Sequence, residues 1–146
     1  MKKENRAMIE SLRPHFVFNV MNVLRYMIKK DAAKASDMVY DLSLYMRCKL
    51  DTSEESSETT FRKEWNAVSA YLRLEQVALP NLSFFTDVKN EECAMEAGAL
   101  LEGVEQLVKE QVRITKEART LRFVDYHDDK DYIKVIVEET NVWIQL

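Results

Sequence analysis

Glycine and proline are nearly missing from this chain of 146 residues, which holds two of each: Gly98, Gly103, Pro14 and Pro80. Loops that cradle phosphate need several glycines close together, because backbone N–H groups approach an anion only where no Cβ intervenes. Two glycines build neither a phosphate-binding loop nor a dinucleotide fingerprint. Cysteine is as scarce. Cys48 and Cys93 make no disulfide framework, and a reducing cytoplasm fits such a chain. No run reaches the roughly 18–20 apolar residues that span a bilayer, and the opening Met-Lys-Lys-Glu-Asn leads into no signal-peptide core. Lysine and arginine form no block. The 21 of them stand against 25 acids for a net charge of −4, which argues against nucleic acid or an anionic membrane surface as the main partner.

What remains is a chain able to fold. Its 47% hydrophobic and 32% charged residues suit one domain, or two small ones sharing a core. Residues 3–29 read as one long helix, with Ile9, Leu12, Phe16, Val20, Val23 and Met27 on a stripe at 100° steps. Asp31 is a plausible N-cap for a second helix, Ala32 to Leu50, whose apolar face carries Met38, Leu42, Tyr45 and Met46. Two such helices form an antiparallel hairpin. Its stripes have too little core of their own, so pairing with a second copy into a four-helix bundle is expected.

Residues 51–59 are polar and acidic and read as a linker. Thr60 then caps a third helix with Phe61, Trp65, Val68, Leu72 and Leu79 along one side, ended by Pro80-Asn81. Ser83 to Val88 reads as a short strand, and Met95 to Lys116 as a fourth helix bearing Leu101, Val104, Val108 and Val112. The period then changes from 3.6 to 2. Leu121–His127 and Tyr132–Glu138 read as strands around an Asp128-Asp129-Lys130 turn, with Val142–Leu146 as a third. The expected class is α+β: a helical hairpin over residues 1–55, then helices on a small antiparallel sheet over residues 56–146.

One segment, Leu12-Arg13-Pro14-His15-Phe16-Val17-Phe18-Asn19, stands apart on physical grounds. A proline inside a helix costs about 3 kcal/mol. A histidine directly after it, with Asn19 and Asn22 on the same shoulder of the apolar stripe, is placed as a nucleophilic imidazole would be: held by the bundle and reachable from outside. From spacing alone, it reads equally well as a surface histidine beside a kink.

Pro14-His15-Phe16-Val17-Phe18-Asn19-Val20-Met21-Asn22 resembles the phosphoacceptor box of LytS/YehU-type bacterial sensor histidine kinases. Leu44-Tyr45-Met46-Arg47, Thr60-Phe61-Arg62-Lys63-Glu64 and Tyr71-Leu72-Arg73-Leu74-Glu75-Gln76 resemble the segments that follow it in that family. The likeness covers roughly residues 8–80 in order and spacing. It implies that His15 is the phosphoacceptor, with Asn19 and Asn22 in support, and that the second half resembles the family's ATPase fold.

Beyond residue 80 the likeness decays. Against the family's ATP-binding helix the best register is Glu105 to Ile114, which keeps Leu107 and Val108 identically. The family's magnesium- and phosphate-holding Asn falls at Glu110, and the Glu before it at Lys109. Glu110 sets a negative charge beside three phosphates and Lys109 reverses the metal-side charge. Val135 to Asn141 arrives with acids but no glycine, and the sequence closes at Leu146 before any ATP lid. A degenerate ATPase half is therefore expected, with no cofactor and no ATP-driven autophosphorylation.

Other constellations weigh little. His15 and His127 have no partner at metal-ligand spacing, and neither Cys48 nor Cys93 has an activating base. Asp125, Asp128, Asp129 and Asp131 read as a solvated turn before a weak cation site. The methionines read as packing, and Trp65 and Trp143 as core. No metal is expected.

The resemblance implies a two-component signalling protein. Its expected chemistry is histidine phosphotransfer through His15 with a response-regulator receiver aspartate, in a cytoplasmic homodimer. The alternatives are a pseudokinase that binds a response regulator or a partner histidine kinase without chemistry, and a fragment of an active kinase.

Overall fold

The computed structural model describes residues 13–54, 58–113, 118–128, 130–137 and 140–146. Helices α1 (Pro14–Lys30) and α2 (Ala32–Glu54) follow one another with a single residue between them and pack together. Asp31 makes the joint: its carboxylate accepts the Lys34 N–H at 3.1 Å while its own N–H closes α1 on the Met27 carbonyl. The expected stripe residues Ile9 and Leu12 lie outside the described residues.

The reading of 51–59 as linker needs correction at both ends. α2 continues to Glu54, and Glu58–Thr60 form strand β1, paired antiparallel with β3 (Ala94–Glu96). Thr60 caps α3 (Phe61–Ala78), its hydroxyl accepting the Lys63 N–H at 3.4 Å. After α3 come β2 (Leu82–Thr86) and β3, then α4 (Ala99–Leu107), which passes into a π-helical turn over Val108–Val112. Strands β4 (Arg119–His127), β5 (Asp131–Val137) and β6 (Thr140–Gln145) complete the chain.

The fourth helix therefore starts later than its apolar pattern suggests. Met95 belongs to β3, and Gly98 interrupts at φ 88, a left-handed conformation that costs glycine little. The sheet order is β2-β4-β5-β6, with β2 parallel to β4 and the other pairs antiparallel. The sheet is mixed where an antiparallel one was expected. A parallel pair needs a long crossover, and the stretch holding β3 and α4 supplies it.

One face of this sheet is covered by α3 and α4. Leu121, Phe123, Ile133, Val135, Val137 and Ile144 point inward, and Trp65 of α3 meets Phe123 edge-on at 4.8 Å. Trp143 is 47% exposed and stands on the opposite face against Tyr126. The period-2 alternation that buries Ile144 turns its neighbour outward.

The first two helices also find their core within the chain. α2 packs along α3, and Val17, Val20, Met38, Leu42 and Tyr45 join the same buried cluster as Leu72, Leu101, Phe123 and Ile144. The stripe expected to be bare is thus covered in cis. A different set of apolar residues stays in water: Phe18, Met21, Tyr26 and Ile28 on α1, Val39 and Tyr40 on α2.

Candidate functional site

Pro14 does not kink a helix interior. It occupies the first position of α1, where its fixed φ suits the turn and its missing N–H forfeits no bond. Arg13 before it takes φ 49, an uncommon left-handed conformation for a residue with a Cβ. His15 follows, exposed to solvent.

Phe16 points the other way and anchors the helix start. Its ring lies 5.0 Å from Tyr45 and 5.2 Å from Tyr71, and those two rings stack at 5.7 Å. One aromatic from each of α1, α2 and α3 thereby sets the rotation of α1. With Phe16 inward, the 100° step leaves His15 on the shoulder.

Beside it runs a cavity of about 280 Å³, walled by His15, Phe16, Asn19 and Val23 of α1, Met38 of α2, Leu74, Glu75 and Val77 of α3, and Arg113 after the π turn. The structure brings His15 and Asn19 together at this groove. Asn22 is exposed on α1 and does not line it.

Two buried carboxylates hold the walls in place. Glu75, 4% exposed, is ion-paired with the Arg113 guanidinium. Burial pushes the neighbouring Tyr71 phenol up, and the Glu75 charge pushes it further. Glu105, 2% exposed, takes the Tyr45 hydroxyl at 2.9 Å and Arg13 Nε at 2.7 Å and is ion-paired with Lys49. Its carboxylate joins the residue before Pro14, the second helix and α4. Burial, then Glu105, likewise raises the Tyr45 phenol.

Lys109 and Glu110 sit on the solvent side of the π turn, whose buried side is Val108 and Val112. Among the described residues no group of three or more His, Cys, Asp or Glu is gathered as for a metal. The Asp125 carboxylate accepts the N–H groups of Lys89 and Asn90 at 3.1 and 3.0 Å, and Asp131 meets His127 Nδ1 at 2.5 Å. Those acids tie a loop and a hairpin end. No helix among the described residues is long and apolar enough to cross a membrane.

The profile of the family described as histidine kinase matches residues 3–82. The chain belongs to that family. This histidine kinase sequence is similar to the sensor protein LytS of Bacillus cereus, 36% identical over 78 residues, 53% of the chain and 13% of the relative. It is similar to LytS of Staphylococcus epidermidis at 26% over 139 residues, 93% of the chain and 23% of the relative. The kinase family type is thus that of LytS, and the chain spans under a quarter of these relatives' length. Among solved structures, one of histidine kinase ThkA in complex with response regulator protein TrrA aligns with 91% of the chain and 47% of that chain, at TM-score 0.43 and 14% identity.

The histidine kinase segment supplies the three helical walls of the groove; Arg113 of the groove and Glu105 of the neighbouring charge network come from outside that segment. Neither was singled out as functional from sequence. A signal existed: Glu64, Glu75 and Glu105 each sit at a core position of a helix, beside Phe61 and Val68, Tyr71 and Leu72, and Leu101 and Val108. A carboxylate inside an apolar stripe demands a partner.

Proposed function

We propose that this chain is a histidine phosphotransfer unit of a two-component pathway, exchanging a phosphoryl group between His15 and a response-regulator aspartate. The observation that carries the reading is the exposed His15 on a helix start anchored by Phe16 between two tyrosines. A neutral ring nitrogen of His15 attacks the phosphorus of the receiver's acyl phosphate. The N–P bond forms, the P–O bond to the carboxyl breaks, and the aspartate carboxylate leaves. The donor is already activated, so no nucleotide is required. Asn19, one turn along the groove, supports by hydrogen bonding; Asn22 stands farther along the same face and has a lesser part.

Residues 1–55 act here as the dimerisation and phosphoacceptor hairpin, and residues 56–146 as an ATPase-like scaffold that no longer binds ATP. Lys109 and Glu110, where the family carries its acid and amide, support the second half of that statement. The apolar residues left in water on the hairpin, Phe18, Met21 and Ile28 with Val39 and Tyr40, support a homodimer. Sedimentation should give twice the monomer mass, falling to one on Phe18→Ser/Ile28→Ser; a monomeric parent chain rejects the dimer.

The same loss of the nucleotide residues also favours a second reading, a pseudokinase that docks on a receiver or partner kinase without chemistry. Labelled phospho-receiver domains and labelled ATP–magnesium, each offered beside His15→Ala, separate the two. Receiver label that vanishes in the variant supports phosphotransfer. Receiver binding without label favours the pseudokinase, and label from ATP alone rejects both.

A further inference from the structure

We infer that Arg113 is the positioning residue for the phosphoryl group on His15, its guanidinium supplying the donors that hold the transferred oxygens in the groove. The inference rests on His15 being the phosphoacceptor. It comes from three observations that the family segment alone does not contain.

The first is placement. Arg113 lies nearly a hundred residues from His15 in sequence, yet both line one cavity, His15 from α1 and Arg113 from the chain just past the π turn. The second is anchorage. The guanidinium is ion-paired with Glu75, which is 4% exposed and cannot swing away, while the Arg113 side chain is 45% exposed. Guanidinium carries five N–H donors in a rigid fork, and the contact with Glu75 uses only part of it, so the rest can face the groove. The third is charge. Arg113 is the only cation in the described lining, which is otherwise apolar apart from His15, Asn19 and Glu75. Without it, a phosphoryl dianion on His15 would share the groove with the Glu75 carboxylate and no cation among the described lining. With it, Glu75 is neutralised by its ion pair and the dianion meets fixed donors.

Phosphoramidate tests this on the whole chain without any receiver. The imidazole nitrogen attacks its phosphorus, the N–P bond to His15 forms, the donor's own P–N bond breaks, and ammonia leaves. The exposed His127 is removed by using a His127→Gln background, and His15→Ala shows that the label is at His15. The variants are Arg113→Lys and Glu75→Gln/Arg113→Gln. The double change avoids a buried unpaired carboxylate, and circular dichroism confirms that it folds.

Loss of one charge-assisted donor to the transferring group should slow labelling about tenfold in the double variant. The result is telling because removing Glu75 by itself would favour an incoming anion. Phosphorus NMR of the labelled protein should show the phosphoryl oxygens protonating about one pH unit higher once the cation is gone, and Arg113→Lys should restore part of both effects. Unchanged labelling and an unchanged NMR midpoint in the folded double variant overturn the inference, as does failure of phosphoramidate to label His15 at all. A receiver that gives no label, while the phosphoramidate results hold, counts against the receiver partner and leaves the role of Arg113 standing.

Discussion

Glu105 gathers an arginine, a lysine and a phenol around one carboxylate closed off from water, so its loss strands two cations at once. Breaking a buried pair from one side costs several kcal/mol, but Arg13 is 37% exposed and recovers part of its hydration. Glu105→Gln should therefore destabilise the chain by about 2–3 kcal/mol in urea unfolding, and Tyr45→Phe by about 1 kcal/mol. Equal midpoints for Glu105→Gln and the parent would show the network to be ornamental. Cys48 offers a test with a pH sign. Burial pushes its thiol up to about 12, with nearby Glu64 adding to the rise. A raised acid contributes stability below the unfolded thiol value and loses it as pH climbs toward the folded one. In a Cys93→Ser background, alkylation of native Cys48 at pH 8 should run about a thousandfold slower than in urea, following the thiolate fraction. Comparable rates in the two states would place the thiol in water.

At the scale of elements, α4 depends on the capping of its N-terminus and on one close approach. The Glu64 carboxylate of α3 accepts the backbone N–H of Leu100 at 2.8 Å, of Leu101 at 3.2 Å and of Gly98, capping α4 from a neighbouring helix. Burial nonetheless raises its pKa, the three N–H donors opposing. Glu64→Ala leaves those donors unpaired in the interior and should cost about 2–4 kcal/mol, seen as a lower thermal midpoint. Midway along α4, Gly103 lets the helix settle on β6: a Cβ there would meet Ile144 Cδ1 at 2.8 Å and Cγ2 at 2.9 Å. Alanine gains about 1 kcal/mol of helix propensity over glycine, yet the branched Ile144 cannot step aside with a rotation of its tip alone. Gly103→Ala should be destabilising by about 1–2 kcal/mol through overpacking. Its cost should shrink or reverse in an Ile144→Ala background. A stabilising single change would mean that β6 gives way.

For the molecule as a whole, the buried cluster runs without a break from Val17 on α1 to Ile144 on β6. Between α2 and α3 it is reinforced by a two-pronged Arg73–Asp41 pair, with contacts of 2.8–3.2 Å and Asp41 buried. A shared core predicts one cooperative transition. With Trp143→Phe leaving Trp65 as the fluorescent probe of the sheet side, its urea curve should coincide with the loss of helical circular dichroism. Two separated transitions would show that the hairpin melts independently of the sheet half.

The local rules carried far. Asp31 and Thr60 as caps, the stripes of α1 to α3, and the tail's switch to a period of 2 depend on residues within a few positions of one another. Their physics is local too: a cap is an oxygen three residues from an N–H, and a stripe is a repeat. The Pro14–His15 box was equally plain as a pattern, and so was its family. Tertiary structure decided what lies between elements. It turned Pro14 from a kink into a helix start and laid β2 parallel to β4. It also put Trp143 outside and covered the hairpin's stripe with α3. Above all it seated Arg113 and Glu105 beside a histidine box some ninety residues away. A charge pair of that separation has no period to read; only the packing that excludes water from Glu75 and Glu105 compels their partners to come to them.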